Sequence, residues 1–443
     1  MKIEKALDWV KRDEAVEAKF SRLVYYPLVL KSGQGAMVED MDGNRYIDLL
    51  ASGGTINAGH SHPKIVDAVV AQMREYQNYS NPYFYNPRAI ELAEKLAAIA
   101  PGDFPKKVSF GLSGSDANDG AIKLARAYTG RSKIVCFHGA YHGSTFGALS
   151  MTNISLNMRR KLGATLPDIY PLPFPNVYRN GAGDAERCLK ELKAAFGSYL
   201  PPEEVAAVIT EPIQGDAGIV IPPAAFMQEL QAICREHGIL LISEEVQQGF
   251  MRTGTWFGME NFGVVPDMIL LAKAAGGGLP LSAIVGRAEV MDALDPPAHI
   301  FTCAANPVCC AAGLALVEIL SEPGFREDLL KRSAYLKSLL EGLMDRHPLI
   351  GEVRGIGFTI GVEVVKDRQS KEPDRAATAK ICHRAWERGA VLVSLGGNVL
   401  RIQPPLVISR AEIERAVAII DAAMSDYENG DIPDSVLETV KGW

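Results

Sequence analysis

Lys273 closes an apolar run, Met268–Ala272, and is followed by Ala274, Ala275 and the glycines Gly276–Gly278. A lysine that leaves an apolar strand beside residues without bulk suits covalent chemistry, because a desolvated amine forms Schiff bases with carbonyl compounds; an ordinary surface lysine is the plainer alternative. Ser113-Gly114-Ser115 stands between a β-rich run and a helix expected to start near Asp116. Backbone N–H groups at such a start, a glycine permitting close approach and a hydroxyl donor suit a phosphate. The competing expectation is a turn in which Ser115 or Asp116 caps the helix. Glu244 ends another apolar run. An amine for an aldehyde, a cradle for a phosphate and an acid for a ring nitrogen are what pyridoxal 5'-phosphate (PLP) requires of a protein. Neither G-x-G-x-x-G nor G-x-x-x-x-G-K-[ST] occurs, so dinucleotide and nucleoside triphosphate sites lose their main support.

Such groups must be brought to one edge. β-rich runs at Lys107–Phe110, Ile134–Phe137, Val205–Thr210, Ile239–Ser243, Met268–Ala272 and Leu281–Val285 mostly alternate with helical patterns. In one of these, Ala117, Ala121, Leu124, Ala125 and Tyr128 share a helical face before Gly130. The alternation predicts an α/β fold with a mostly parallel central sheet covered on both faces. Ligands collect at the carboxyl ends of such strands, where Ser113–Ser115, His138–His142, Glu211, Glu244 and Lys273 stand. The last third turns to short strands around Gly351–Val365 and Ala390–Pro405. A helix opened by the capping box Ser409-x-x-Glu412 then runs to about Tyr427. Ala36–Glu39 and Arg45–Asp48 flank the turn signal Asp42-Gly43. The expected division is an N-terminal segment (1–58) packing with the small domain, a large cofactor-binding domain (59–314) and a smaller C-terminal α+β domain (315–443).

The balance of 53 acidic against 46 basic residues, with 22% charged overall, gives no basic footprint for nucleic acid. No run of 18 apolar residues occurs, and the first twenty residues carry charges throughout, so a cytoplasmic protein without a membrane span is expected. The seven cysteines form no C-x-x-C pair, which disfavours a disulfide framework and a zinc site.

Taken in order, Ser113-Gly-Ser-Asp-Ala-Asn118, Tyr141-His142-Gly143, Glu244-Glu245-Val246-Gln247, Lys273, Thr302 and Asn306-Pro307 resemble the motifs of class III aminotransferases, PLP enzymes of fold type I. The resemblance runs from Gly35 to the C-terminal helix. It implies that Lys273 carries the cofactor as a Schiff base and that Ser113, Gly114 and Ser115 take its phosphate. Tyr141 would stack on one face of the ring and Val246 on the other, with Gln247 near the ring hydroxyl. Thr302 would reach the phosphate of a neighbouring subunit, making a homodimer the minimum unit, with dimer or tetramer left open. The family pattern at the ring nitrogen is Asp in a D-E-V-Q run, and this chain has Glu244, one methylene longer.

Glu211-Pro-Ile-Gln-Gly-Asp216-Ala-Gly218 is similar to the family's E-P-x-Q-G-E-G-G segment, with Asp216 where transaminases usually carry Glu. Amino-acid racemases of the family, an isoleucine 2-epimerase and an aminocaprolactam racemase, have an Asp there. The resemblance to that branch extends to Asp295–Cys309, Arg346–Gly355, Asp367–Pro373 and the ending Lys441-Gly-Trp443. Racemisation needs a second acid/base group for the face of Cα that a lysine does not serve; Asp216 is the candidate, a turn residue the alternative. Arg401 falls where the family binds the substrate α-carboxylate, and its planar fork suits that group. The expectation is a racemase or 2-epimerase acting on neutral, apolar amino acids. An aminotransferase, with Glu211 supporting a carboxylate switch, and a non-catalytic binding protein of the same fold are the other readings. Tyr25, Tyr26, Tyr83 and Phe84 are candidates for the side-chain pocket or for packing.

Overall fold

The computed structural model describes residues 1–440, so the ending Lys441-Gly-Trp443 lies outside the described residues. The chain forms two compact units, Pro63–Arg326 and Met1–His62 together with the chain from Glu327 onward. Three short strands come first, β1 (Leu30–Gln34), β2 (Met37–Asp40) and β3 (Arg45–Asp48), paired antiparallel in that order.

The large unit is built on seven strands: β4 (Lys106–Gly111), β5 (Lys133–Phe137), β6 (Ile169–Leu172), β7 (Val205–Thr210), β8 (Leu240–Glu244), β9 (Met268–Leu271) and β10 (Ser282–Arg287). Their order across the sheet is β4-β10-β9-β8-β7-β5-β6. β10 runs antiparallel to both neighbours and every other pairing is parallel. All six residues of β7 and all five of β8 are buried, as expected of strands covered on both faces. Edge strand β6 was not anticipated, because Pro171 breaks the β-rich pattern. A proline lacks the ladder donor and is tolerated on an edge. The helix after β4 spans Gly114–Thr129 and ends on Gly130 in the left-handed conformation. It starts two residues earlier than the sequence suggested. Ser113, and neither Ser115 nor Asp116, is its N-cap: the Ser113 hydroxyl accepts from the Asp116 N–H, and the Asp116 carboxylate accepts from the Ser113 N–H at 2.8 Å.

In the other unit, β11 (Ile350–Ile356), β12 (Thr359–Val364), β14 (Val393–Leu395) and β15 (Val399–Ile402) form an antiparallel sheet in the order β11-β12-β15-β14. Between them in sequence, β13 (Ala390–Val391) pairs parallel with β3, which ties the opening hairpin to the C-terminal chain. Tyr26 stacks on Trp386, with ring centroids 5.1 Å apart, in the core beneath that seam. The last long helix, Arg410–Glu428, carries the expected reciprocal capping box between Ser409 and Glu412. Among the described residues no single helix is long and apolar enough to cross a membrane.

Candidate active site

The carboxyl edge of the large sheet collects the polar groups that the sequence singled out. After β4, the capping box commits the Ser113 hydroxyl and the Asp116 N–H to each other's residue. The N–H groups of Gly114 and Ser115 lie in the first helical turn, where no intrahelical acceptor exists. Ser115 Oγ accepts from the Ser144 N–H at 3.0 Å, which joins the loop after β5 to this helix start. Gly143 lies in that loop with φ +140°, and a Cβ there would stand 2.8 Å from Ser115 Cα. Only glycine permits this approach.

The same loop carries Tyr141 and His142. The Tyr141 N–H donates to Glu211 Oε1 (3.1 Å), and the Gly215 N–H donates to Glu211 Oε2 (2.9 Å). Glu211 follows β7 directly and is buried. Burial first, then the charges of Glu244 and Asp216, push its carboxyl well above the usual range despite the two backbone donors. That shift favours the protonated form of Glu211, which lessens repulsion among the three acids. Asp216 is buried in the tight turn that Gly218 N and Ile219 N close on Gly215 O. Gly215 leaves the room that the Gln247 carboxamide fills.

Glu244 is the last residue of β8. Its Oε1 accepts the Val246 N–H at 2.7 Å, and its Oε2 lies 3.5 Å from His142 Nδ1. Val246 packs across the helix start after β4: a Cβ on Gly114 would stand 3.1 Å from both its methyl groups. Next to Glu244, the buried Glu245 accepts from Gly258 N, Met259 N and Ser243 Oγ at 2.7–2.9 Å, and burial pushes its carboxyl up to about 7. Lys273 stands two residues beyond β9, whose Leu270 is paired with Glu244. Lys273 is half-buried and adopts φ +45°, a left-handed conformation uncommon outside glycine. Such backbone strain concentrates at functional sites. Thr302 is exposed, ahead of the helix Pro307–Leu320 that Asn306 caps.

These parts fit PLP. A helix start offers N–H groups and a hydroxyl for a phosphate, Val246 walls one side of that start, a buried acid ends β8, and an amine follows β9. The sequence singled out His142 only as part of a motif. Its imidazole is fully enclosed, with neither ring nitrogen in a hydrogen bond, a property that no sequence pattern displays.

In the other unit, Arg401 is buried within β15, and its Nε donates to Gln403 Oε1, whose amide donates in turn to Thr359 Oγ1 (3.1 Å). The Tyr25 hydroxyl donates to Ser394 O (2.8 Å) and that of Tyr26 to Leu392 O (2.9 Å). Both rings belong to apolar clusters of that unit. Tyr83 and Phe84, in the large unit, are exposed, and Phe84 stacks on Tyr79.

Residues 21–424 match the class-III aminotransferase family. An isoleucine 2-epimerase of Lentilactobacillus buchneri is 45% identical over 97% of each chain. A leucine/methionine racemase of Thermococcus litoralis is 42% identical over 98% of this chain and 99% of its own. Among solved structures, an amine transaminase from an uncultivated Pseudomonas species in its PLP-bound form superposes with a TM-score of 0.83. It is 30% identical and covers 90% of this chain and 94% of its own. The ordered motifs, the strand-end constellation and these likenesses agree: the chain belongs to the class-III aminotransferase family.

Proposed function

We propose that this chain is a PLP-dependent amino-acid racemase or 2-epimerase acting on neutral, apolar amino acids, with Lys273 and Asp216 as the two groups that exchange the Cα proton. The observation that carries the reading is near-full-length similarity to an isoleucine 2-epimerase and a leucine/methionine racemase. Asp216, buried in the turn after β7, supports it. Gly114 and Ser115 would hold the cofactor phosphate, Ser113 would fix the helix start that presents them, Tyr141 and Val246 would flank the ring, and Gln247 would meet its hydroxyl. Bound PLP supplies an electron sink that acidifies the substrate Cα–H.

Two acid/base groups on separate strand ends are what proton exchange on both faces of Cα demands. The amine of Lys273 takes the proton on one face while the Asp216 carboxyl returns one on the other, and the roles reverse for the opposite enantiomer. The raised carboxyl of Glu211 favours its protonated form, which limits its repulsion of the neighbouring acids. Arg401 is assigned to the substrate α-carboxylate through its bidentate fork. Tyr25 is assigned to the pocket wall by position, although its hydroxyl already serves Ser394 O. A homodimer or tetramer in the cytoplasm, with Thr302 reaching a neighbouring subunit's phosphate, completes the reading. Four strongly exposed aromatics, Tyr79, Tyr83, Phe84 and Tyr85, support association.

The test is a panel of L-amino acids incubated in D2O without any keto acid. D-enantiomer and Cα deuterium are expected for isoleucine, leucine or methionine, and Asp216→Asn is expected to lose most of the D-product. Amino transfer that requires a keto acid, with no D-product, would replace this reading with an aminotransferase.

A further inference from the structure

We propose that His142 is a positioning residue for Glu244, and that this pairing is what lets the chain use a glutamate where the family pattern has an aspartate. The inference rests on the PLP reading of the site and adds a residue to it. A glutamate carries one more carbon–carbon bond than an aspartate, about 1.5 Å of reach and one further torsion. Left unrestrained at the end of β8, that side chain has several rotamers, of which few aim the carboxylate at one point. Here both oxygens are accounted for: Oε1 turns back onto the Val246 N–H at 2.7 Å, and Oε2 faces His142 Nδ1 at 3.5 Å.

The imidazole itself cannot swing away. The His142 N–H donates to Thr152 Oγ1 (2.9 Å), its carbonyl accepts from Asn118 Nδ2 (2.9 Å), and the next residue, Gly143, is tied to the same Thr152 hydroxyl. The His142 side chain is wholly inaccessible, and its ring nitrogens make no hydrogen bond at rest. A buried imidazole N–H without an acceptor is costly, and the nearby Glu244 oxygen would relieve that cost by a shift of a few tenths of an ångström. The other acids around Glu244 are Glu211 after β7, Asp216 in the turn beyond it and Glu245 in the next position. Burial and the charge of Glu244 push the Glu211 carboxyl well up, which favours its protonated form and weakens its repulsion of Glu244. One backbone donor and one enclosed imidazole thus fix a carboxylate that is longer than the position requires.

Replacing His142 by leucine should free the Glu244 carboxylate, raise the apparent PLP dissociation constant about tenfold and move protonation of the ring nitrogen about one unit lower in pH. The first is read by fluorescence titration of the apoprotein, the second by the 15N shift of ring-labelled cofactor in the holoenzyme. His142→Asn, whose amide nitrogen falls near the place of Nδ1, should restore both, whereas His142→Gln should not. In a Glu244→Asp background the His142 effect should shrink at least threefold, because the shorter acid has no surplus torsion to fix. The Asn and Gln pair decides the matter if the leucine variant does not fold. Unchanged affinity and ring titration in the leucine or glutamine variants, or an effect of equal size with Asp at 244, would overturn the proposal. A native protein that binds no cofactor would instead overturn the site reading beneath it.

Discussion

At the large unit's strand ends, Glu211, Glu244 and Glu245 each accept backbone N–H groups, from Tyr141 and Gly215, from Val246, and from Gly258 and Met259. In the smaller unit, Arg401 lies inside strand β15 and is tied to a relay of side chains, Gln403 and then Thr359. A group that main-chain donors hold is fixed by the fold, since those donors persist whatever the neighbouring residues are. A group held by side chains depends on each member of its relay, and removal of one leaves another buried and unsatisfied. Changing the chemistry at a strand end should therefore leave the fold nearly intact, whereas changing the sheet-face arginine should affect both.

The largest effect that would test this contrast is at Lys273. Lys273→Ala is expected to lower racemisation at least ~10⁴-fold while the thermal midpoint moves by only a few degrees, as calorimetry would read. A large loss of stability would break the contrast. Arg401→Ala should cost about 10²-fold in kcat/KM, in line with the loss of a charge-assisted carboxylate contact. It should also cost about 2 kcal/mol of stability, because the buried Gln403 Oε1 loses the Arg401 Nε donor; urea unfolding separates the two losses.

Glu245 provides a pH test. A carboxyl whose folded value is raised to about 7 from 4.5 binds a proton in the folded state that the unfolded chain has released. Stability from this group is full below about pH 4.5, falls as pH rises to about 7 and is level above, by at most about 3 kcal/mol. Urea midpoints across that window should show the decline. Smallest is Ser409→Ala, which removes the cap of the last long helix. It should cost about 1 kcal/mol with no change in kcat, and a change in rate would show that the helix end is not separate from the chemistry.

What the sequence displayed and what it concealed divide along physical lines. The buried strands β5, β7, β8 and β9, Gly130 as a helix stop and the Ser409 capping box all follow from local pattern, and each appears within a residue or two of its expected place. Strand β6 hid behind Pro171, because an edge strand escapes the rule that excludes proline. The helix start after β4 was misplaced since Ser113, Ser115 and Asp116 are all good caps, and the choice between them rests on the reciprocal bond to Asp116. The closed ring of His142, whose backbone Asn118 and Thr152 hold, is a consequence of separate segments meeting, which spacing along the chain does not encode, and the left-handed backbone of Lys273 and the turn of Glu244 onto the Val246 N–H are local geometries that residue type alone does not announce.

Strand β10 imposes a length. It runs against its neighbours, so β4 and β9 on either side of it point the same way, and the helix start after one and the lysine after the other emerge on the same edge, two strand spacings or about 10 Å apart. One reversed strand therefore acts as a fixed ruler between the amine and the helix start proposed to hold the cofactor phosphate. Loops around it can change the substrate, but any insertion that widens or closes that gap would no longer match a cofactor of one invariant size.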